Sequence, residues 1–211
     1  MIKVQNLYRS FGRSVILKNL NFNVETGERL GIEGANGTGK TTLLRIISTL
    51  LLPTTGSVHT NGRCTVNEAK LARSNIGYVS PADTGFFPRL TGQQNLEVIA
   101  QFYGLTWQEA NRQIEDLENF FPLAKSLKTP LFQCSSGMRQ VLKISIALVH
   151  NPSILLLDEP SRSLDKTARR GLYNYLDKHC ASKSVLVTSH HPEELNQLST
   201  RILNLKGGQL F

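Results

Sequence analysis

Three short stretches of this chain carry side chains suited to handling phosphate. The stretch GANGTGKT, from Gly34 to Thr41, fits the pattern G-x-x-x-x-G-K-[ST]. Its glycines let backbone N–H groups turn inward around an anion, Lys40 reaches terminal phosphates, and Thr41 offers a hydroxyl to Mg²⁺. The candidate nucleotide-binding set is therefore Gly34, Ala35, Asn36, Gly37, Thr38, Gly39, Lys40, Thr41 and Thr42. A helix-capping glycine turn would share part of the pattern, but this one sits between an expected strand and an expected helix, where a phosphate loop belongs.

The second stretch is ILLLDEP, residues 154–160. An apolar strand places Asp158 at its carboxyl end, where it can hold the water shell of Mg²⁺, and Glu159 follows as a candidate to polarise an attacking water. Two acids after a strand can also simply begin a loop; the phosphate loop upstream favours the chemical reading. The third is CSSGMRQ, residues 134–140, a glycine-and-serine turn opening another helix. Its amides and helix dipole suit an anion, although an ordinary capped helix with Val141, Leu142, Ile144 and Leu148 facing inward would carry the same residues.

The elements that position these stretches follow from hydrophobic periodicity. Residues 15–24 alternate through Leu20, Phe22 and Val24, and 28–34 form a short apolar run entering the glycine turn. Leu43, Leu44, Ile46, Ile47, Leu50 and Leu51 recur at helical spacing until Pro53. Residues 92–127 read as helical, with a capping box at Thr106 and Glu109. Buried-strand runs at 153–158, 184–189 and 201–205, separated by helical segments, demand a parallel sheet. The expected fold class is α/β, with a helical lobe inserted into the core.

Composition narrows the function classes. At 211 residues, 40% hydrophobic and 19% charged, the usage is that of an ordinary globular domain. The formal charge of +8 suits an anionic partner, but the cations are scattered, with no run longer than Arg169–Arg170, so nucleic acid is not expected. Cys64, Cys134 and Cys180 lack zinc or disulfide spacing and read as a reducing compartment. MIKVQNLYRS lacks the apolar core of a signal peptide, and no stretch approaches the roughly 18 apolar residues that span a bilayer. Any contact with a membrane is expected to come through a partner.

Taken in order, the phosphate loop, CSSGMRQ, ILLLDEP, SRSLD (161–165) and TSHH (188–191) resemble the ATP-binding cassette family across essentially the whole chain. The resemblance implies one cassette domain over residues 1–211. A P-loop core with antiparallel N-terminal strands would occupy about 1–79 and 150–211, and a helical lobe about 80–149. It implies ATP and Mg²⁺ as ligands, with Glu159, His190 and Lys40 as catalytic residues and Thr41 and Asp158 serving the metal. It makes CSSGMRQ a site used in trans, with Ser135, Ser136, Gly137 and Met138 presented to the γ-phosphate held by a second subunit. Phe11 matches the aromatic that stacks on adenine, a core phenylalanine being its other reading. Asp165 matches the loop that crosses the dimer interface, while His191, before Pro192, reads as structural. The partners implied are a second ATPase subunit, with a homodimer expected, and an integral membrane subunit at the cytoplasmic face of the cell membrane.

The departures from the family pattern are as informative. The signature is usually L-S-G-G-Q, and here its first, third and fifth positions are Cys134, Ser136 and Met138. Similar forms occur in subunits serving exporters, as does PRLTGQQNLEVIAQFYGL (88–105), so the implied cargo is multidrug, polysaccharide or lipid-like. A further domain of the kind common after importer cassettes is not expected. Where the family carries a glutamine after a strand, this chain has Pro81. Asp83 could supply oxygen to the metal shell there, or serve only as a turn residue. A soluble cassette ATPase of ribosome, repair or iron–sulfur processes is the alternative, disfavoured by the single phosphate loop and the lack of long heptads.

Overall fold

The computed structural model describes residues 1–82 and 85–211. The alternation along the first strands makes one face of a sheet. β1 (Ile2–Phe11) and β2 (Ser14–Val24) pair antiparallel, burying Ile2, Val4, Leu7, Leu17, Leu20 and Val24. A register shift between Val4 and Leu7, with Asn6 at φ 49°, moves the buried series by one residue and keeps Leu7 inside. β4 (Thr55–Thr60) and the two-residue β5 (Arg63–Cys64) complete a four-stranded sheet in the order β2-β1-β4-β5.

The second sheet is built from the apolar runs. β3 (Arg29–Glu33) lies parallel between β8 (Ser184–Ser189) and β9 (Arg201–Lys206), and β7 (Ile154–Asp158) is parallel to β8. With β6 (Ile76–Val79) and a short antiparallel β10 (Gln209–Leu210) the order is β10-β9-β3-β8-β7-β6. β7 and β8 are buried along their full length, which explains why they read as unbroken apolar runs rather than as alternation. α1 (Lys40–Ile47) follows β3 and buries Leu43, Leu44, Ile46 and Ile47. Expected to continue to Pro53, this helix ends earlier, because Thr49 takes φ 66° and the chain turns there. α2 (Ala69–Arg73) and α8 (Pro192–Leu198) are the shorter helices of this unit.

The chain divides into two units, the first comprising Met1–Tyr78, Ser153–Glu159 and His179–Phe211. The second, Val79–Pro152 with Pro160–Lys178, is helical: α3 (Gly92–Phe102), α4 (Trp107–Glu118), α5 (Ala124–Lys128), α6 (Ser136–Leu148) and most of α7 (Lys166–His179). The capping box at Thr106 and Glu109 starts α4, and Thr91 with Gln94 forms a second one that starts α3. Buried Asn95 accepts from the Phe87 amide at 2.8 Å and donates to the carbonyls of Phe87, Leu90 and Thr91, holding the turn before α3.

Residues 160–178 cluster with the helical unit, not with the core expected over about 150–211. On α7, Tyr175 meets Phe120 edge-on at 5.3 Å, and Gly171 lies so near the Phe120 carbonyl that an added Cβ would sit 1.9 Å from it. Periodicity marks α7 as amphipathic; it does not say which neighbour receives the apolar face.

Candidate functional site

The first unit assembles its site at the carboxyl ends of parallel strands, where such sheets place ligands. The loop leaving β3 starts at Gly34, where a Cβ would come within 2.7 Å of Thr38 Oγ1 and 2.8 Å of the Leu205 carbonyl. It closes at Gly39, whose φ of 108° is a conformation L side chains avoid. Gly39 is also the N-cap of α1 and provides no side-chain cap, an arrangement that suits an anion at the first amides of the helix. Thr38 Oγ1 donates to the Ala35 carbonyl at 2.9 Å and tightens the turn.

Lys40 is buried, and its ammonium donates to the carbonyls of Gly34 and Ala35 and lies 3.7 Å from Glu159 Oε1. Asp158 ends β7, and the parallel register pairs it with Thr188 on β8, whose hydroxyl donates to Asp158 Oδ1 at 2.6 Å. Burial raises the carboxyl above the ordinary aspartate range. The hydroxyls of Thr188 and Thr41 oppose that rise, the neighbouring Glu159 charge adds to it, and the Lys40 ammonium reduces it.

Glu159 takes φ 50°, a conformation expensive for a side chain of its size, and donates its N–H to the Thr188 carbonyl at 3.0 Å. The turn swings its carboxylate toward β8, where His190 Nδ1 lies 2.9 Å from Oε1. His191 donates its N–H to Ser189 Oγ at 3.0 Å and stands as N-cap of α8, with Pro192 at the first helical position. Phe11, the last residue of β1, is 48% exposed and so is not a core phenylalanine.

The residues present fit a small hard cation. Asp158 Oδ2 is buried with no hydrogen bond to the protein, and the Thr41 hydroxyl acts on the same carboxylate. Among the described residues no cluster of three His, Cys, Asp or Glu could hold a metal ion by itself.

In the second unit Ser135 is the N-cap of α6, accepting from the Met138 amide at 3.2 Å. Accepting leaves its own O–H hydrogen available to a further oxygen. Ser136 is exposed, and Gly137 faces the Ser163 carbonyl, 3.1 Å from where a Cβ would stand. Asp165 Oδ1 accepts from the Ala168 amide at 2.8 Å, capping α7. Pro81 lines a cavity of about 280 Å³ with Ser136, Arg139, Gln140, Lys143 and Arg162. Asp83 lies outside the described residues.

Two residues escaped the sequence reading. Thr188 orients Asp158, a role visible only once the β7–β8 register is known. Buried Gln140 donates to the Pro160 carbonyl at 2.8 Å. It stands in CSSGMRQ, and its polar side chain among the inward positions of a core helix was the available signal.

The ABC transporter family model matches residues 17–162. The chain is 33% identical over 92% of its length to the ABC transporter ATP-binding protein NatA of Bacillus subtilis (strain 168), spanning 80% of that protein. It is 34% identical over 99% of its length to the Nod factor export ATP-binding protein I of Sinorhizobium fredii, spanning 61% of it. Among solved structures, an ATP binding subunit of an ABC transporter superposes at TM-score 0.93 with 25% identity, covering 100% of this chain and 88% of that one. A dimeric post-hydrolysis state of the ATP-binding cassette MJ0796, bound to ADP and Pi, superposes at 0.86 with 29% identity, covering 100% and 96%. The chain belongs to the ABC transporter family and is one of its ATP-binding ATPase subunits.

Proposed function

We propose that this subunit powers an exporter, hydrolysing MgATP in a head-to-tail dimer that sandwiches two nucleotides. The observation that carries the hydrolytic part is the grouping around Glu159, with His190 at 2.9 Å and Lys40 at 3.7 Å of one carboxylate oxygen. In this reading the loop amides and Lys40 hold the phosphates, and Phe11 stacks on adenine. Thr41 and Asp158 would hold Mg²⁺, which when bound neutralises charge on the phosphate oxygens. Glu159 accepts a proton from the attacking water, and His190 keeps the carboxylate aimed and faces the γ-phosphate. The second subunit contributes the Ser135 hydroxyl and the amides of Ser136, Gly137 and Met138, stabilising charge as it develops. Asp165 belongs to the loop that couples the two sites.

Export is supported by relatives named for Nod factor export and for linearmycin resistance. The cargo class is accordingly multidrug, polysaccharide or lipid-like. No helix of the described residues is long and apolar enough to cross a membrane, so attachment at the cytoplasmic face falls to a membrane subunit. The dimer is supported by the dimeric cassettes that superpose on this chain.

Two measurements test the reading. Neither site is complete in one subunit, and two chains of charge +8 repel. ATPase turnover of the isolated chain is therefore expected to be weak and to rise more than linearly with protein concentration. Strictly linear activity from dilute monomer removes the trans role of Ser135. In cells the chain should sediment with membranes through its partner, whereas co-sedimentation with ribosomes would support the soluble alternative.

A further inference from the structure

Phe11 does not stand alone at the end of β1. Arg9, two residues earlier in β1 and across a register shift between Arg9 and Ser10, lays its guanidinium over the Phe11 ring with Cζ 4.3 Å from the centroid. Arg9 is itself held, its Nη1 donating to the Leu52 carbonyl at 3.0 Å. The same stretch of β1 is tied to the segment after α1 by the Ser10 amide donating to Thr54 Oγ1 at 3.2 Å and the Thr54 amide to the Tyr8 carbonyl at 2.9 Å. One ring face is thus covered by a fixed cation, and the side chain as a whole remains about half exposed.

We propose that Arg9 is a positioning residue for the nucleotide base, acting through Phe11 to form a guanidinium–phenyl–purine stack. This rests on the reading that Phe11 stacks on adenine. A phenylalanine at a strand end beside the Gly12–Arg13 turn is free to rotate, and a base stacking on it must bear the cost of stopping that rotation. Arg9 bears it in advance by holding the ring from behind. A cation on one face also draws π density toward itself, which weakens the quadrupole repulsion that disfavours face-to-face stacking on the other. Arg9 therefore favours binding of the base while doing nothing for the phosphates.

The test compares ADP with inorganic pyrophosphate by titration calorimetry on the full chain, since neither ligand turns over and only one carries a base. Arg9→Gln is expected to raise the Kd for ADP about 3- to 10-fold and to leave pyrophosphate within about twofold. Arg9→Lys, which keeps the charge but loses the planar group, should recover part of the loss. In a Phe11→Ala background Arg9→Gln should add nothing, because there is no ring left to hold. If Phe11→Ala weakens ADP and Arg9→Gln does not, the inference about Arg9 is wrong and the role of Phe11 stands. If Phe11→Ala leaves ADP binding unchanged, the stacking reading fails and the inference goes with it. Equal weakening of ADP and pyrophosphate by Arg9→Gln would also overturn the inference, by showing a charge or folding effect. Should Arg9→Gln not fold, the ratio of ADP affinity to pyrophosphate affinity in Arg9→Lys decides: an unchanged ratio overturns the inference and a reduced one supports it.

Discussion

His190 Nδ1 and the Lys40 ammonium share one carboxylate oxygen of Glu159, at 2.9 Å and 3.7 Å. A carboxylate that is ionised only accepts, so the His190 tautomer that suits the contact is the one with its hydrogen on Nδ1. His190 thereby fixes the direction of Glu159, and Nε2 can donate to a phosphate oxygen at the same time only from the imidazolium form. The contact links the group proposed to take the water's proton to the group proposed to hold the phosphate.

Removing the base while keeping its shape should trap the nucleotide. Glu159→Gln is expected to lower the ATPase rate by about 10²- to 10⁴-fold with ATP affinity nearly unchanged. Binding free energy that hydrolysis normally dissipates then remains in the interface, so a dimer should form with ATP and not with ADP. Adding Ser135→Arg should abolish it by blocking the approach of the other subunit's phosphate. Size-exclusion chromatography with light scattering reads the outcome. A variant that binds MgATP and stays monomeric contradicts the sandwich, and a dimer indifferent to Ser135→Arg would leave CSSGMRQ as only the cap of a core helix.

His190 should act through Glu159 rather than beside it. His190→Ala is expected to lower kcat about 10- to 100-fold with little change in nucleotide affinity. Combined with Glu159→Gln it should cost almost nothing further, because the two act as a unit. Single-turnover rates of the two single variants and the double variant decide this, and additive losses would separate the roles.

Asp158 links the site to stability. Its carboxyl is raised, chiefly by burial, so the folded protein holds that proton more tightly than the unfolded chain. The favourable contribution is complete below the unfolded value of about 4 and is lost as pH rises through the folded value. Without nucleotide, Asp158→Asn should therefore melt at a higher temperature than the parent at pH 7. The gain should shrink toward zero below about pH 4, while stabilisation by MgATP is lost. Melting curves at the two pH values, with and without MgATP, provide the check; a less stable Asp158→Asn at pH 7 refutes it.

Gly171 tests the packing of α7 in the helical unit. Its missing Cβ would meet the Phe120 carbonyl, a backbone group that cannot swing aside. Gly171→Ala should destabilise that unit by about 1–3 kcal/mol despite alanine's better helix propensity. Urea unfolding followed by hydrogen exchange would locate the loss, and a neutral or stabilising effect would show that α7 shifts freely.

Local order along the chain determined much of this protein before any folding was considered. The spacing of Gly34, Gly39, Lys40 and Thr41 specifies a phosphate loop because each residue type is needed at its own offset from the strand. The unbroken runs of β7 and β8 announce strands buried on both faces, and Thr106 with Glu109 announces a helix start, since those signals act within a few residues. What acts across tens of residues was settled only by tertiary structure. The pairing of Asp158 with Thr188 depends on parallel register, the bond from His190 to Glu159 on two loops emerging side by side, and the cover that Arg9 gives Phe11 on a carbonyl at Leu52. The packing of α7 beside Phe120 depends on a glycine that carries no hydrophobic signal. Periodicity reports which face of an element is apolar, but the partner of that face is chosen by the global minimum of burial and hydrogen bonding, which no local window contains.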